Sequence, residues 1–215
     1  MDKTLDLKEI LASIASWNTL RNEKNELVIN NLFDAGNSFS YNRPKLESAQ
    51  DSFIHVYPGV KDGKLLLFVI DADKDNAQEA KNPEEILAAI TVCELDHSPE
   101  LGSEIPTEEA LERIKSWKDN RIGWVKKQVE TEEGIFQAFV IPSSDLQPGQ
   151  ESKVYFALKP NPDGENAFAD LIIDDMQDNS NDSGLSKYFD LVRPVPPFHI
   201  DGPLEKENFY LLEIS

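Results

Sequence analysis

The residues with the most chemical potential form a short acidic run, Asp71-Ala72-Asp73-Lys74-Asp75-Asn76. Carboxylates at alternate positions can converge on one hard cation, and Asn76 can take the left-handed position that glycine usually fills in such loops. Asp71, Asp73 and Asp75 are therefore the calcium candidates. The bidentate glutamate that the loop needs at its twelfth position is missing: Asn82 stands there, and Glu84 and Glu85 come too late. A solvated acidic turn with no cofactor is the favoured expectation, and calcium the alternative.

A second constellation is written twice. Residues 9–21 read EILASIASWNTLR and residues 109–121 read EALERIKSWKDNR, with six of thirteen positions matching at an offset of 100. On a helical wheel Arg21 falls among Ile10, Leu11 and Ile14, and Arg121 among Ile114, Trp117 and Val125. Each guanidinium would face an apolar stripe, four residues from Trp17 or Trp117, where cation–π contact is within reach. A charge there is costly unless paired. The expectation is an internal tie to a carboxylate or to strand-end carbonyls. The competing use is a ligand site, at which Trp17, Arg21, Trp117 and Arg121 would bind an anion in a cleft between the two copies.

The histidines, His55, His97 and His199, lie far apart and match no zinc or protease spacing. His55 aligns with Phe156 in the second copy, which marks a packing position. His199 stands near Asp201 and follows the run Leu191-Val192-Arg193-Pro194-Val195-Pro196-Pro197-Phe198, an extended proline-rich stretch. Long connections of this kind are either laid over a sheet or used as lids and partner loops. Arg193 and His199 are accordingly ligand candidates. With Asp201 they would form the acidic-histidine site of a hydrolase if one pocket held all three. No nucleophile elbow, P-loop or dinucleotide fingerprint is present. Asn181-Asp182-Ser183 is a glycosylation sequon read as a turn.

The elements that must position these groups follow from periodicity. Asp6 and Glu9 form a capping box, and Leu7, Leu11, Ile14 and Trp17 continue a helix to about Thr19. The stretch from Asn22 to Ser38 mixes helix and turn signals, and residues 38–41 alternate as a short strand. Residues 53–57 and 64–70 read as a hairpin turned at Pro58-Gly59 and Asp62-Gly63, its second strand buried on both faces. A short helix capped by Asn82 precedes a strand from about Ala89 to Leu95. Thr107 caps a second long helix to about Lys127. Strands follow at 135–141, 154–158 and 167–173, the last two joined by Pro160-Asn161-Pro162-Asp163-Gly164, and a closing strand covers 209–214.

Matching pairs then keep their order through the chain: Asp51-Ser52 with Glu151-Ser152, Asp62-Gly63 with Asp163-Gly164, Ile70-Asp71 with Ile173-Asp174, and loosely residues 90–96 with 209–215. Ordered offsets are what a tandem copy predicts. The expected fold is α+β, a tandem duplication of a unit of about 100 residues (helix, strand, β-hairpin, strand) packed pseudo-symmetrically. Residues 1–100 and 101–215 are the units, separated by the polar joint 97–105, with an insertion around 180–208. They form two domains or one compact body.

Composition narrows the function. Acids outnumber bases by 40 to 21, a net charge of −19 shared between the halves, so phosphate backbones and anionic lipids are repelled. Nucleic-acid and membrane partners are disfavoured. One cysteine, Cys93, excludes an intrachain disulfide and reads as a small buried hydrophobe. The absence of an apolar leader suggests a cytoplasmic, soluble protein. The expected function is a non-catalytic binding or protein-interaction module with its surface where the units meet. A hydrolase-type enzyme, with acids and either His55 or His199 at the unit interface, and a weak calcium binder are the alternatives.

Overall fold

Asp6 opens the first helix as the capping box requires: its carboxylate accepts from Glu9 N at 2.8 Å, and Glu9 reaches back to Asp6 N at 3.1 Å. The helix, α1, runs Leu7–Asn22. The computed structural model describes residues 5–44, 52–76, 83–97, 108–161, 166–175, 187–189, 193–196 and 209–215. The caps Asn82 and Thr107, most of the joint 97–105, the turn residues 162–165, the sequon, His199 and Asp201 lie outside them.

In chain order the elements are α1, α2 (Glu26–Phe33), β1 (Ser38–Asn42), β2 (Phe53–Lys61), β3 (Lys64–Asp71), α3 (Pro83–Ala89) and β4 (Thr91–Glu94). Then come α4 (Glu108–Gln128), β5 (Ala138–Pro142), β6 (Glu151–Lys159), β7 (Phe168–Asp175), β8 (Lys187–Phe189), β9 (Arg193–Val195) and α5 (Tyr210–Ile214). The protein is a mixed α+β fold with two antiparallel sheets. The first has strand order β4-β3-β2-β5-β9 and the second β1-β6-β7-β8. Each sheet draws on both sides of residue 100. The strand before each hairpin pairs with the other hairpin, so β1 lies on β6 (Phe39 opposite Val154) and β5 on β2 (Ile141 opposite Ile54).

Strand alternation sorts the residues into layers. Ile54, Val56, Leu67, Val69 and Ile141 of the first sheet share one apolar cluster with Phe39, Val154, Phe156, Leu171 and Ile173 of the second, so these faces look at each other. Cys93 belongs to this interior, and burial pushes its thiol up to about 12. The outer face of the first sheet (Tyr57, Phe68, Ile70, Val140) is covered by Ile10 and Ile14 of α1, Ile86 of α3 and Leu211 of α5. On the second sheet's outer face, Ala110 of α4 joins Tyr155, Ala157 and Ile172. Trp17, Phe33, Trp117 and Trp124 reach the central cluster from α1, α2 and α4. Fully burying a large side chain of this kind contributes about 1.5–3 kcal/mol, so these rings fix where the helices sit. No helix among the described residues is long and apolar enough to cross a membrane.

Three sequence expectations are corrected. Pro58-Gly59 is not a turn: β2 continues through it, with Pro58 opposite Leu67. The pairing of β2 with β5 ends at Val56, so Pro58 has no neighbour on that side to which an N–H would donate. The hairpin turns instead at Asp62-Gly63, with φ of 51° and 75°, the positive pair of a two-residue turn. Residues 209–214 are not a closing strand; α5 is a helix, and among the described strands β4 pairs with β3 alone. Leu211, at 0% exposure, docks one face of α5 onto this layer. Finally, the alignment of His55 with Phe156 is not kept by the sheets: Phe156 faces the central cluster, whereas His55 belongs to the opposite face of its strand, where Tyr57 packs.

Candidate functional site

The turn after α4 is where a recess forms. Thr131 ends the helix by bonding back, its hydroxyl donating to Gln128 O at 2.7 Å and accepting from Gly134 N at 3.1 Å. Gly134 sits at φ 69°, which lets the chain reverse into the irregular stretch 133–137. Irregular backbone has carbonyls to spare, and four consecutive ones are each taken by a side chain. Arg21 Nη2 donates to Glu133 O at 2.6 Å and Arg21 Nε to Ile135 O at 2.7 Å. Gln128 Nε2 donates to Gly134 O at 2.9 Å, and Trp17 Nε1 to Phe136 O at 2.9 Å. A stretch without secondary structure is thereby tied to α1 and α4 by four hydrogen bonds.

Two further walls face it. Trp124 Nε1 donates to Ala167 O at 2.7 Å and pins the start of β7 to α4. Gln137 N donates to Val195 O at 2.5 Å, fixing β9 alongside β5. Between these walls lies a cleft of about 320 Å³ at the margin between the two sheets. Trp124, Phe136, Phe168, Pro194 and Pro196 give it apolar surface, and Gln128, Thr131, Asn161 and Asn166 give it hydroxyl and amide groups. Among the described residues of the lining, Glu133 alone is charged. The described lining can hold a ligand by stacking and hydrogen bonding.

The candidates named from sequence fall into distinct surroundings. Trp17 (0% exposed) and Arg21 (8%) stand behind the cleft wall, and burial lowers the Arg21 pKa from its ordinary value. Trp117 is equally buried, but its Nε1 has no partner among the described residues. Arg121 is half-buried, donates to Asp34 Oδ1 at 2.6 Å and lies 6.0 Å from the Phe33 ring centre. It is far in role from Arg21: it holds a side chain, not the wall. Arg193 begins β9, whose Pro194 lines the cleft. The structure therefore gathers Trp17, Arg21, Pro194 and Pro196 around one recess and leaves Trp117 and Arg121 outside it.

Asp71, Asp73 and Asp75 do not converge. Asp71 turns inward to Arg43 Nη2 at 3.9 Å, where burial raises its pKa against the lowering effect of that guanidinium. Arg43 itself donates to Ser143 O at 2.7 Å and Leu146 O at 3.1 Å. Asp73 is exposed. Asp75, buried to 1% exposure, turns to the outer face of the first sheet, where it accepts from His55 Nδ1 at 2.7 Å and from Tyr57 OH. Among the described residues no three histidine, cysteine or carboxylate groups lie together as metal ligands. His55 is thus not at the meeting of the sheets, and it is closed off from solvent by Phe209, stacked on it at 4.7 Å.

Sequence reasoning missed Gln128, Phe136, Phe168 and the amides of 161 and 166 as cleft residues. The only local signal was Pro194-Val195-Pro196, since the remaining lining comes together through the fold. No family model matches the chain, and neither the curated proteins nor the solved structures contain a significant match to it.

Proposed function

We propose that the protein is a non-catalytic binding module with its ligand in the cleft between the 131–136 turn, the start of β7 and β9. The observation that carries this reading is the pinning of four successive carbonyls, Glu133 to Phe136, by Arg21, Gln128 and Trp17. A wall held in this way is preorganised, which lowers the ordering cost of binding. The lining favours an uncharged or cationic small molecule or peptide side chain that stacks on Phe168 and the prolines. Glu133 and the net charge of −19 act against anions. We place this activity in the cytoplasm and expect neither nucleic acid nor membrane as a partner.

We also propose that the two halves are tandem copies that packed by exchanging a strand. What supports this is the reciprocal pairing of β1 with β6 and β5 with β2. Aromatic contacts are reciprocal as well: Trp17 stacks on Phe136 and Trp117 meets Phe33 edge-on. The cleft then lies at the meeting of the copies.

The test is a thermal-shift and calorimetric comparison of short peptides that differ only in carrying Lys, Gln or Glu at the centre. The expected result is binding of the Lys and Gln peptides, weakened at least fivefold (about 1 kcal/mol) by Phe168→Ala, with Glu133→Gln reducing only the Lys peptide. Binding that ignores both substitutions would refute the cleft. Of the histidines open to a hydrolase-type reading, His55 lies with Asp75 buried beneath Phe209, and His199 and Asp201 lie outside the described residues.

A further inference from the structure

The buried group His55, Tyr57 and Asp75 lies on the outer face of the first sheet, apart from the cleft. It is organised without help from the C-terminus. His55 and Tyr57 sit on β2, which is paired with β3 on one side and, at His55, with β5 on the other. Asp75 is held by its own turn, its N–H donating to Asp71 O at 3.2 Å and Ala72 O at 3.1 Å. Resting on this platform is α5, which joins no sheet and is five residues long. A helix of that length is not stable alone, so it forms only where it docks.

Its docking has the features of peptide recognition. Phe209, at the N-cap, provides no side-chain cap. The missing cap comes from Asp75: its Oδ1 accepts the second helical amide, Leu211 N, at 3.0 Å, while Oδ2 is held by His55 and Tyr57. A carboxylate at a helix N-terminus satisfies an orphan amide and the helix dipole together. Phe209 stacks on His55 at 4.7 Å and stands edge-on to Tyr57 at 6.4 Å, and Leu211 is wholly buried. Ile214 is already 38% exposed. Two anchors and one charged cap therefore define the contact, the pattern of a short helix seated on a preformed surface. The fit is also incomplete, since His55 Nε2 is buried with no partner among the described residues.

We propose that the His55–Tyr57–Asp75 face is a receptor surface for a short aromatic-x-leucine helical segment, and that residues 209–215 occupy it as an intramolecular, displaceable ligand. A rival segment that also hydrogen-bonds His55 Nε2 would outcompete the internal one. The proposal is independent of the cleft, whose lining shares no residue with this face.

Leu211→Asp in the full chain should release the internal segment. By hydrogen exchange, the amides of 210–214 should then reach the unprotected rate while those of β2 and β3 keep their protection. That variant should bind a labelled peptide of residues 209–215 saturably, with the unaltered chain at least tenfold weaker because its own segment competes. Adding Asp75→Asn should reduce peptide binding at least tenfold. Loss of protection across β2 and β3 together with α5 would overturn the proposal, because α5 would then be part of the cooperative core. So would a released, folded variant that fails to bind the peptide.

Discussion

Helices α1 and α4 carry the same Ser-Trp pair and the same arginine four residues on, yet the two matched sets of residues do different work. Trp17 and Arg21 are saturated by main-chain carbonyls of 133–136. The Trp117 N–H has no partner among the described residues, and Arg121 reaches out to Asp34, whose side chain is 66% exposed. The cause is what stands opposite each. Beside Trp117 and Arg121 stands the end of helix α2, which presents the Phe33 ring and the Asp34 carboxylate. The chain that faces α1 is irregular and has carbonyls to give. Identical letters therefore became a structural clamp in one place and a surface pair in the other.

The largest test of this contrast is Arg21→Leu against Arg121→Leu. Removing Arg21 strands the carbonyls of Glu133 and Ile135, and at 1–3 kcal/mol for each buried unpaired group the loss should be about 3 kcal/mol, read from urea midpoints. Arg121→Leu should cost less than about 1 kcal/mol. Equal losses would show that the clamp is not what separates the two arginines. Next in size, Trp17→Phe should cost about 1–2 kcal/mol more than Trp117→Phe, because only the first abandons a buried carbonyl. Reversal of that order would place a partner on the Trp117 ring nitrogen.

Legibility in the sequence followed the range of the interaction. The capping box of α1, the Asp62-Gly63 turn and the doubly buried β3 depend on neighbours in the chain and were readable. Helix α5 was misassigned because Tyr210 to Ile214 are apolar enough for a strand, and what makes them helical is Asp75, far away in sequence. The wheel put both arginines on the apolar stripe, which holds for Arg21 and only in part for half-buried Arg121. It could not know that α2 would lie opposite one and a loop opposite the other. The cleft was the least visible feature. Its lining joins α4, the 131–136 turn, the start of β7 and β9, and only a fold brings these together.

The two Ile-Asp strand ends extend the comparison to pH. Asp71 faces the interior beside Arg43, whereas Asp174 sits in register opposite Lys153 on the outer face of the second sheet. Burial raises the Asp71 pKa above 3.8 in the folded state, so the native protein holds a proton that the unfolded chain has released. Stability contributed through this group is therefore greatest below the unfolded value and is lost as pH rises through the folded value. Asp71→Asn should flatten that decline in urea titrations across the acid range. An unchanged slope would mean that another carboxylate carries it.

The smallest effect expected is the Arg121–Asp34 pair itself. At 2.6 Å the geometry is good, but one partner is largely in water, and the favourable Coulomb energy is offset by solvation and by side-chain ordering. A double-mutant cycle with Arg121→Ala and Asp34→Ala should give a coupling of about 0.2–1 kcal/mol. It should fall towards zero in 1 M salt, where the screening length is about 3 Å. Arg21 has no such exposure, and its carbonyl bonds should be nearly indifferent to salt. A salt-resistant coupling at Arg121 would mean that the Phe33 ring shields the pair, and the line drawn between clamp and surface pair would then have to move.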